Sequence, residues 1–329
     1  MVATQGLPDF IESYAPLEAG PHPSLYIHEK SLALDMMKHP DIKPVDFMEF
    51  WQLFLDASEN DFPDIDMYFD KTPVVLHGER QFETRRSLLP LYRRMEVALT
   101  SWIDDLTIHF LNGFEGNETI STLDFVDEYL DQVFKKMMAD ELGIEPDELP
   151  PLPGKFFRFI IRFDELLDYQ TKLHLLRKCI ETQLSTKDEK ERDELWGLLS
   201  IVVMGQDTLS GALLYFISRH HEIDSAEALF DQSRPVSILW RQIAENIRVQ
   251  NLDLKKGQRV YISTGLFDEN KTEAPIPFGV GVHLCPGKKI SLILAEAFMR
   301  AWKNFPQLHG RMSEIKFLRD TVLKAKEMS

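Results

Sequence analysis

The stretch Phe278-Gly279-Val280-Gly281-Val282-His283-Leu284-Cys285-Pro286-Gly287 places a lone cysteine among glycines, just ahead of an amphipathic pattern that begins near Ile290. A thiol at a helix N-terminus meets unpaired backbone N–H groups and the positive end of the helix dipole. Both lower its pKa and soften the charge of a thiolate bound to a metal. The glycines let the backbone fold tightly around something flat and large, and Pro286 suits a first helical position, where its missing N–H costs nothing. Zinc fits poorly, because no second cysteine or histidine lies at ligand spacing. A nucleophilic cysteine needs a base, and His283, only two residues away, would usually point elsewhere. The plainer alternative is a buried thiol in a glycine-rich turn.

Two further groups carry chemistry. Met204-Gly205-Gln206-Asp207-Thr208 interrupts the apolar run Leu195 to Ile217. An acid and a hydroxyl inside such a helix are costly unless they serve water, a ligand or each other, and Thr208 can free a helix carbonyl to bind that water. A satisfied Asp–Thr pair is the structural alternative. Arg85, Arg86, Arg93 and Arg94 recur at a spacing of eight, which returns a helix to roughly one face and makes a basic stripe in an acidic chain.

The chain that must position these residues has 329 residues, 44% hydrophobic, 27% charged and 11% aromatic, which excludes a disordered, collagen-like or disulfide-stapled protein. Its net charge of −16 repels phosphate backbones, so nucleic acid is not an expected partner. Only Cys179 and Cys285 occur, which suits a reducing compartment. The N-terminus lacks a basic segment followed by an apolar one, so a cytoplasmic location is expected. Gln206, Asp207 and Thr208 at the midpoint of the long apolar run argue for a buried central helix rather than a membrane span.

Most of the remaining sequence reads as helix within a single domain, 1–329. Ser24 to Ile27 predicts a strand, Ser31 to Lys38 a helix ended by His39-Pro40, and Phe47 to Leu55 another helix before an acidic loop over Glu59 to Asp64. Gln81 to Leu111 offers one or two helices, Asp140 to Gly154 an irregular loop, and Phe156 to Leu184 and Lys187 to Ile217 two more helices. Val236 to Trp240, Ile247 to Val249 and Arg259 to Ile262 predict a small antiparallel sheet, with Lys256-Gly257 as a turn. Apolar residues at 290, 293, 294, 297, 298, 301 and 302 predict a closing amphipathic helix.

The cysteine stretch resembles, at all six fixed positions, the Phe-x-x-Gly-x-His-x-Cys-x-Gly heme loop of the bacterial cytochrome P450 family. Met204 to Thr208 is similar to that family's Ala-Gly-x-Asp-Thr segment. The resemblance extends from roughly Leu25 to Trp302. It implies a mainly α fold with a small β part, shortened in the N-terminal sheet, the first helix and the meander. It implies heme b bound through Cys285, whose thiolate pushes electron density toward a bound O–O bond. Phe278 would pack beside the thiolate, Gly281 and Gly287 would hold the loop's turns, and His283 would bond a heme propionate. Arg241, after Arg234-Pro235, would clamp a propionate; Arg86 would be another propionate partner, with Phe82 at the family's aromatic or histidine position. Asp207 and Thr208 would deliver protons.

The sequence departs from the family at its Glu-x-x-Arg motif: aligned on Pro235, those positions hold Ala228 and Asp231, with Glu227 as a neighbour. The usual ion network behind the heme loop is therefore not expected. The implied activity is monooxygenation of a small organic molecule, with electrons from a ferredoxin and its reductase docked near Arg85, Arg93, Arg94, Lys288 and Lys289. Two rivals are an unconventional heme-thiolate enzyme (a peroxygenase, isomerase or dehydratase) and a non-catalytic heme-binding protein. Walls of the substrate pocket are expected from a Phe62–Val75 loop, Val203, Met204, Ile238 and Leu239.

Overall fold

The computed structural model describes residues 22–45, 62–114, 116, 118–154, 163–184, 189–265, 274–319 and 323–328. The expected helix over Phe47 to Leu55 and the start of the acidic loop lie outside them. The chain divides into two compact units. The first comprises Met1–Thr84, Val236–Cys285 and Arg319–Leu323, and the second Arg85–Pro235, Pro286–Leu318 and Lys324–Ser329.

In the first unit, β1 (Leu25–Ile27), β2 (Ile42–Pro44), β3 (Ile238–Ile243) and β6 (Arg259–Ser263) form one sheet in the order β1-β6-β3-β2. β1 runs parallel to β6, and the other pairs are antiparallel. The sheet is thus mixed rather than purely antiparallel, because the N-terminal strand adds to its edge. β4 (Ile247–Val249) stays out of it and pairs with β5 (Leu252–Leu254) through a tight turn, where Gln250 takes φ 51°. That two-residue connection reaches its partner before Lys256-Gly257 does, so the hairpin closes locally.

Successive strand residues face opposite sides of a sheet. One side carries Leu25, Ile27, Leu239, Ile243, Val260 and Ile262, covered by Leu32, Ala33, Met36 and Met37 of α1 (Lys30–Lys38) and by Val280 of the cysteine stretch. Helix α1 stops at His39, extended at ψ 127°, as a following proline requires. The other side carries Tyr26, Ile238, Trp240 and Tyr261. Residues 62–75 differ from the expected loop, since Pro63–Lys71 form helix α2. Pro63 at the first helical position, followed by Asp64 and Asp66, is a helix-start pattern that the acidic composition masks.

Helix α3 (Gly78–Asn112) is continuous through Pro90. In the second unit the core is α6 (Glu189–Arg219), which packs on α4 (Thr122–Leu142), α5 (Phe163–Leu184), α7 (Ala226–Ser233) and α8 (Lys288–Trp302). Among the described residues one helix, Gly197–Arg219, is long and apolar enough to cross a membrane, and 83% of its apolar window is buried inside the protein. In α8 the stripe reads as expected, with Ile290, Leu294, Ala297, Phe298, Ala301 and Trp302 buried. Trp302 and Phe298 stack at 5.6 Å, and Phe298 meets Tyr129 of α4 at 5.0 Å. Gly143 ends α4 in the left-handed region at φ 71°, and the following loop contains a 3-10 turn, Pro146–Glu148. Pro306–His309 form a short helix, α9, and β7 (Ile315–Arg319) pairs with β8 (Leu323–Glu327).

Candidate functional site

The cysteine stretch folds as a compact loop in the first unit. Cys285 N donates to Phe278 O at 2.8 Å, Leu284 N to Gly281 O at 3.1 Å and Gly279 N to Ile276 O at 3.1 Å. Gly281–His283 form a 3-10 turn. Gly279 and Gly281 both sit at φ 67°, where any other residue is strained, so the two glycines are what let the chain double back on itself. Gly281 also lies against α1: a Cβ there would come 3.7 Å from Met37 O. Phe278, His283 and Cys285 are half-buried, while Val282 and Leu284 are exposed. Gly287 is the residue before α8, so Cys285 stands three residues ahead of that helix's first turn.

Arg241 lies on β3 opposite Val260 and Pro44, on the sheet side that carries Leu239 and Ile243. It is only 6% exposed. Its Nη1 donates to Trp240 O at 2.9 Å, and no carboxylate pairs with it among the described residues. Burial holds its pKa down to about 10. A guanidinium kept dry beside an apolar cluster, with most of its donors unspent, is suited to receive an anion. The face it shares is the one Val280 packs against, so the first unit brings Arg241 and the cysteine loop to one side of its sheet.

At the start of α3 the exposed face carries Phe82, 61% exposed, and Arg86, also exposed. The residues one position earlier point inward: Gln81 is 4% exposed and Arg85 is half-buried. Gln81 Nε2 donates to Val282 O at 3.0 Å. Sequence reasoning passed over Gln81; the signal that could have found it is its four-residue spacing from Arg85, which puts both on one face of the helix.

In the second unit Asp207 is buried at 6% exposed, between Gln206, also buried, and half-buried Thr208. Thr208 Oγ1 donates at 3.2 Å to both Met204 O and Gly205 O, the back-bonding that loosens a helical turn. A Cβ on Gly205 would come 2.8 Å from Phe134 Cζ, so this glycine is required by the close approach of α6 to α4. Asp207 and Thr208 thus sit on the buried core helix of the second unit.

The basic stripe is partly neutralised. Arg94 Nη2 lies 3.1 Å from Glu141, and Lys289 Nζ lies 3.0 Å from Glu96. Arg93 and Lys288 are exposed. Where the heme-loop brace would be expected, α7 turns Glu227 and Asp231 to solvent and buries Ala226, Leu229, Phe230 and Ser233. Its N-terminus is capped by Ser225 and approached by the Glu296 carboxylate of α8, 3.4 Å from Ala226 N.

The sequence matches no protein-family model and no curated protein. Solved structures do resemble it. P450BioI, in complex with an acyl carrier protein ligated to hexadec-9Z-enoic acid, overlays with a TM-score of 0.67 at 13% identity, over 93% of this chain and 91% of that one. A 6-coordinated cytochrome P450 from Thermus thermophilus gives 0.63 at 15% identity, over 95% and 94%. PksS, a bacillaene polyketide synthase cytochrome P450 from Bacillus subtilis, gives 0.65 at 15%, over 92% and 88%. The chain therefore has the cytochrome P450 fold, mainly α with a small β part.

Proposed function

We propose that the protein is a heme-thiolate monooxygenase acting on a small organic molecule. The observation that carries this reading is the pairing, within the first unit, of a glycine-formed cysteine loop with a buried guanidinium that no carboxylate pairs with among the described residues. The donor set fits heme b: one thiol for iron and one dry cation for a carboxylate at the edge of the ring. When bound, heme supplies the activation of dioxygen. Cys285 Sγ would ligate the iron as a thiolate, with Phe278 packed beside it and Gly281 and Gly287 shaping the turns on either side. Arg241 would hold a propionate, assisted by His283; Arg86, which the resemblance offers as a further partner, faces solvent. Thr208 Oγ1, which has two helix carbonyls to choose between, would give its proton to the dioxygen being activated and recover one from water beside the Asp207 carboxylate. The two thiols, which form no disulfide, suit the cytoplasm.

Electrons would come from a ferredoxin and its reductase, with Arg85, Arg93, Arg94 and Lys288 as the docking cations. The ion pairs of Arg94 and Lys289 favour a second reading, in which peroxide replaces that partner. Carrier proteins are another partner class, since P450BioI is solved on one.

The deciding measurement is the spectrum of the reduced, carbon monoxide-bound protein. It should show the red-shifted band of thiolate ligation, and Cys285→Ala should abolish that band while Cys179→Ala leaves it. A wild-type protein without the band would end the heme-thiolate reading. Turnover with peroxide but not with ferredoxin, reductase and NAD(P)H would select the second reading.

A further inference from the structure

A primary amide buried in the first turns of a helix must spend its donors or carry the cost of leaving them dry. Gln81 spends one on Val282 O, across 201 residues of sequence. Val282 is the middle residue of the Gly281–His283 turn. Gly281 packed against α1 and the backbone bond from Leu284 N to Gly281 O also hold that turn. The chain then reaches Cys285, whose N–H closes the loop on Phe278 O. Within the first unit, the start of α3 thus reaches the cysteine loop through the Gln81 amide.

We infer that Gln81 is the positioning residue for Cys285: its amide pins the Val282 carbonyl, fixes the 3-10 turn, and thereby holds the sulfur in place. The inference deepens the reading of Cys285 as an iron ligand and rests on it for the functional consequence, while its geometric content concerns the loop alone. Val282 itself is 64% exposed, so its side chain anchors little and its carbonyl bond matters correspondingly more. Phe82, the next residue of α3, is largely exposed and contributes no comparable anchor.

The test uses the full-length protein and its own internal control. Alkylation by iodoacetamide is followed by mass spectrometry at both thiols. Cys179 lies in α5, in the second unit, where burial foremost and the nearby Glu148 raise its pKa, so it reports general loosening. Gln81→Leu keeps the side chain's bulk and removes its donor. It should accelerate alkylation of Cys285 by up to about tenfold, the factor that one hydrogen bond is worth, and leave Cys179 unchanged. Gln81→His restores an N–H at similar reach and should bring the rate back. In the carbon monoxide complex, Gln81→Leu should convert the thiolate band into the neutral-thiol band faster than wild type.

An unchanged Cys285 rate in a folded Gln81→Leu protein overturns the inference, as does equal acceleration at both cysteines. Should Gln81→Leu fail to fold, Gln81→Asn, too short to reach Val282, puts the same question with the amide retained. If wild type shows no thiolate band, the heme reading fails, and the alkylation ratio still decides the role of Gln81.

Discussion

Burial that pulls a guanidinium down to about 10 costs about 3 kcal/mol, which the fold bears at Arg241 with no carboxylate in contact among the described residues. A structural role alone gives no reason to keep it. Arg241→Leu should therefore leave the melting temperature of the protein unchanged or raise it, while speeding transfer of heme to an acceptor globin by about tenfold or more, the scale of a lost charge-assisted bond. A variant that melts earlier and holds heme as tightly as wild type would show that Arg241 supports the sheet instead. The sign of its pH dependence follows from burial: above about 10 the unfolded chain keeps the proton that the folded one gives up, so Arg241 makes stability rise with pH there. Type and position of this residue were legible in the sequence, since Arg241 follows Arg234-Pro235 at a recognisable distance. Its isolation from acids was not. That depends on Val260 and Pro44 lying opposite it, and on which side of β3 faces α1.

Among the elements, α6 shows how much a helix can announce about itself and where the announcement stops. Its apolar run, its glycine and its Asp207-Thr208 step are readable in order, because helical periodicity is a local property. At its C-terminal end three histidines meet. His220 lies 3.7 Å from the His221 ring and 4.3 Å from that of His309, which stacks on Trp302 at 5.0 Å. Burial foremost, then His309 and His221, lower the pKa of His220 below 6.5, against the opposing bond from its Nδ1 to Ile217 O at 3.1 Å. The unfolded chain consequently takes up a proton that the folded imidazole refuses, so stability is full above pH 6.5 and declines as pH falls below it. Melting curves from pH 7.5 down to 5 should show this decline, and His220→Gln should flatten it. Parallel slopes for the two proteins would exclude His220 as the source.

For the whole molecule, a net charge of −16 sets the long-range field, and the exposed cations of the stripe set where an acidic partner can land. Arg94 pairs with Glu141, so Glu141→Gln should remove one negative charge beside the stripe and lower the Kd for the proposed ferredoxin severalfold at low ionic strength, with the gain vanishing as salt screens it. Titrations at two salt concentrations check this, and a gain that persists at high salt would point to a conformational effect. By itself the sequence determined the helical pattern, the cysteine loop with its two left-handed glycines, and the acid–alcohol step within α6, since each follows from spacing or backbone sterics over a few residues. Only the tertiary structure decided that β1 joins β6 in parallel, that Arg241 faces an apolar cluster without an acid, that Phe82 and Arg86 face solvent, and that Gln81 reaches Val282 across 201 residues. Contacts between segments so far apart are chosen by which surfaces bury best against each other. No local propensity encodes that choice.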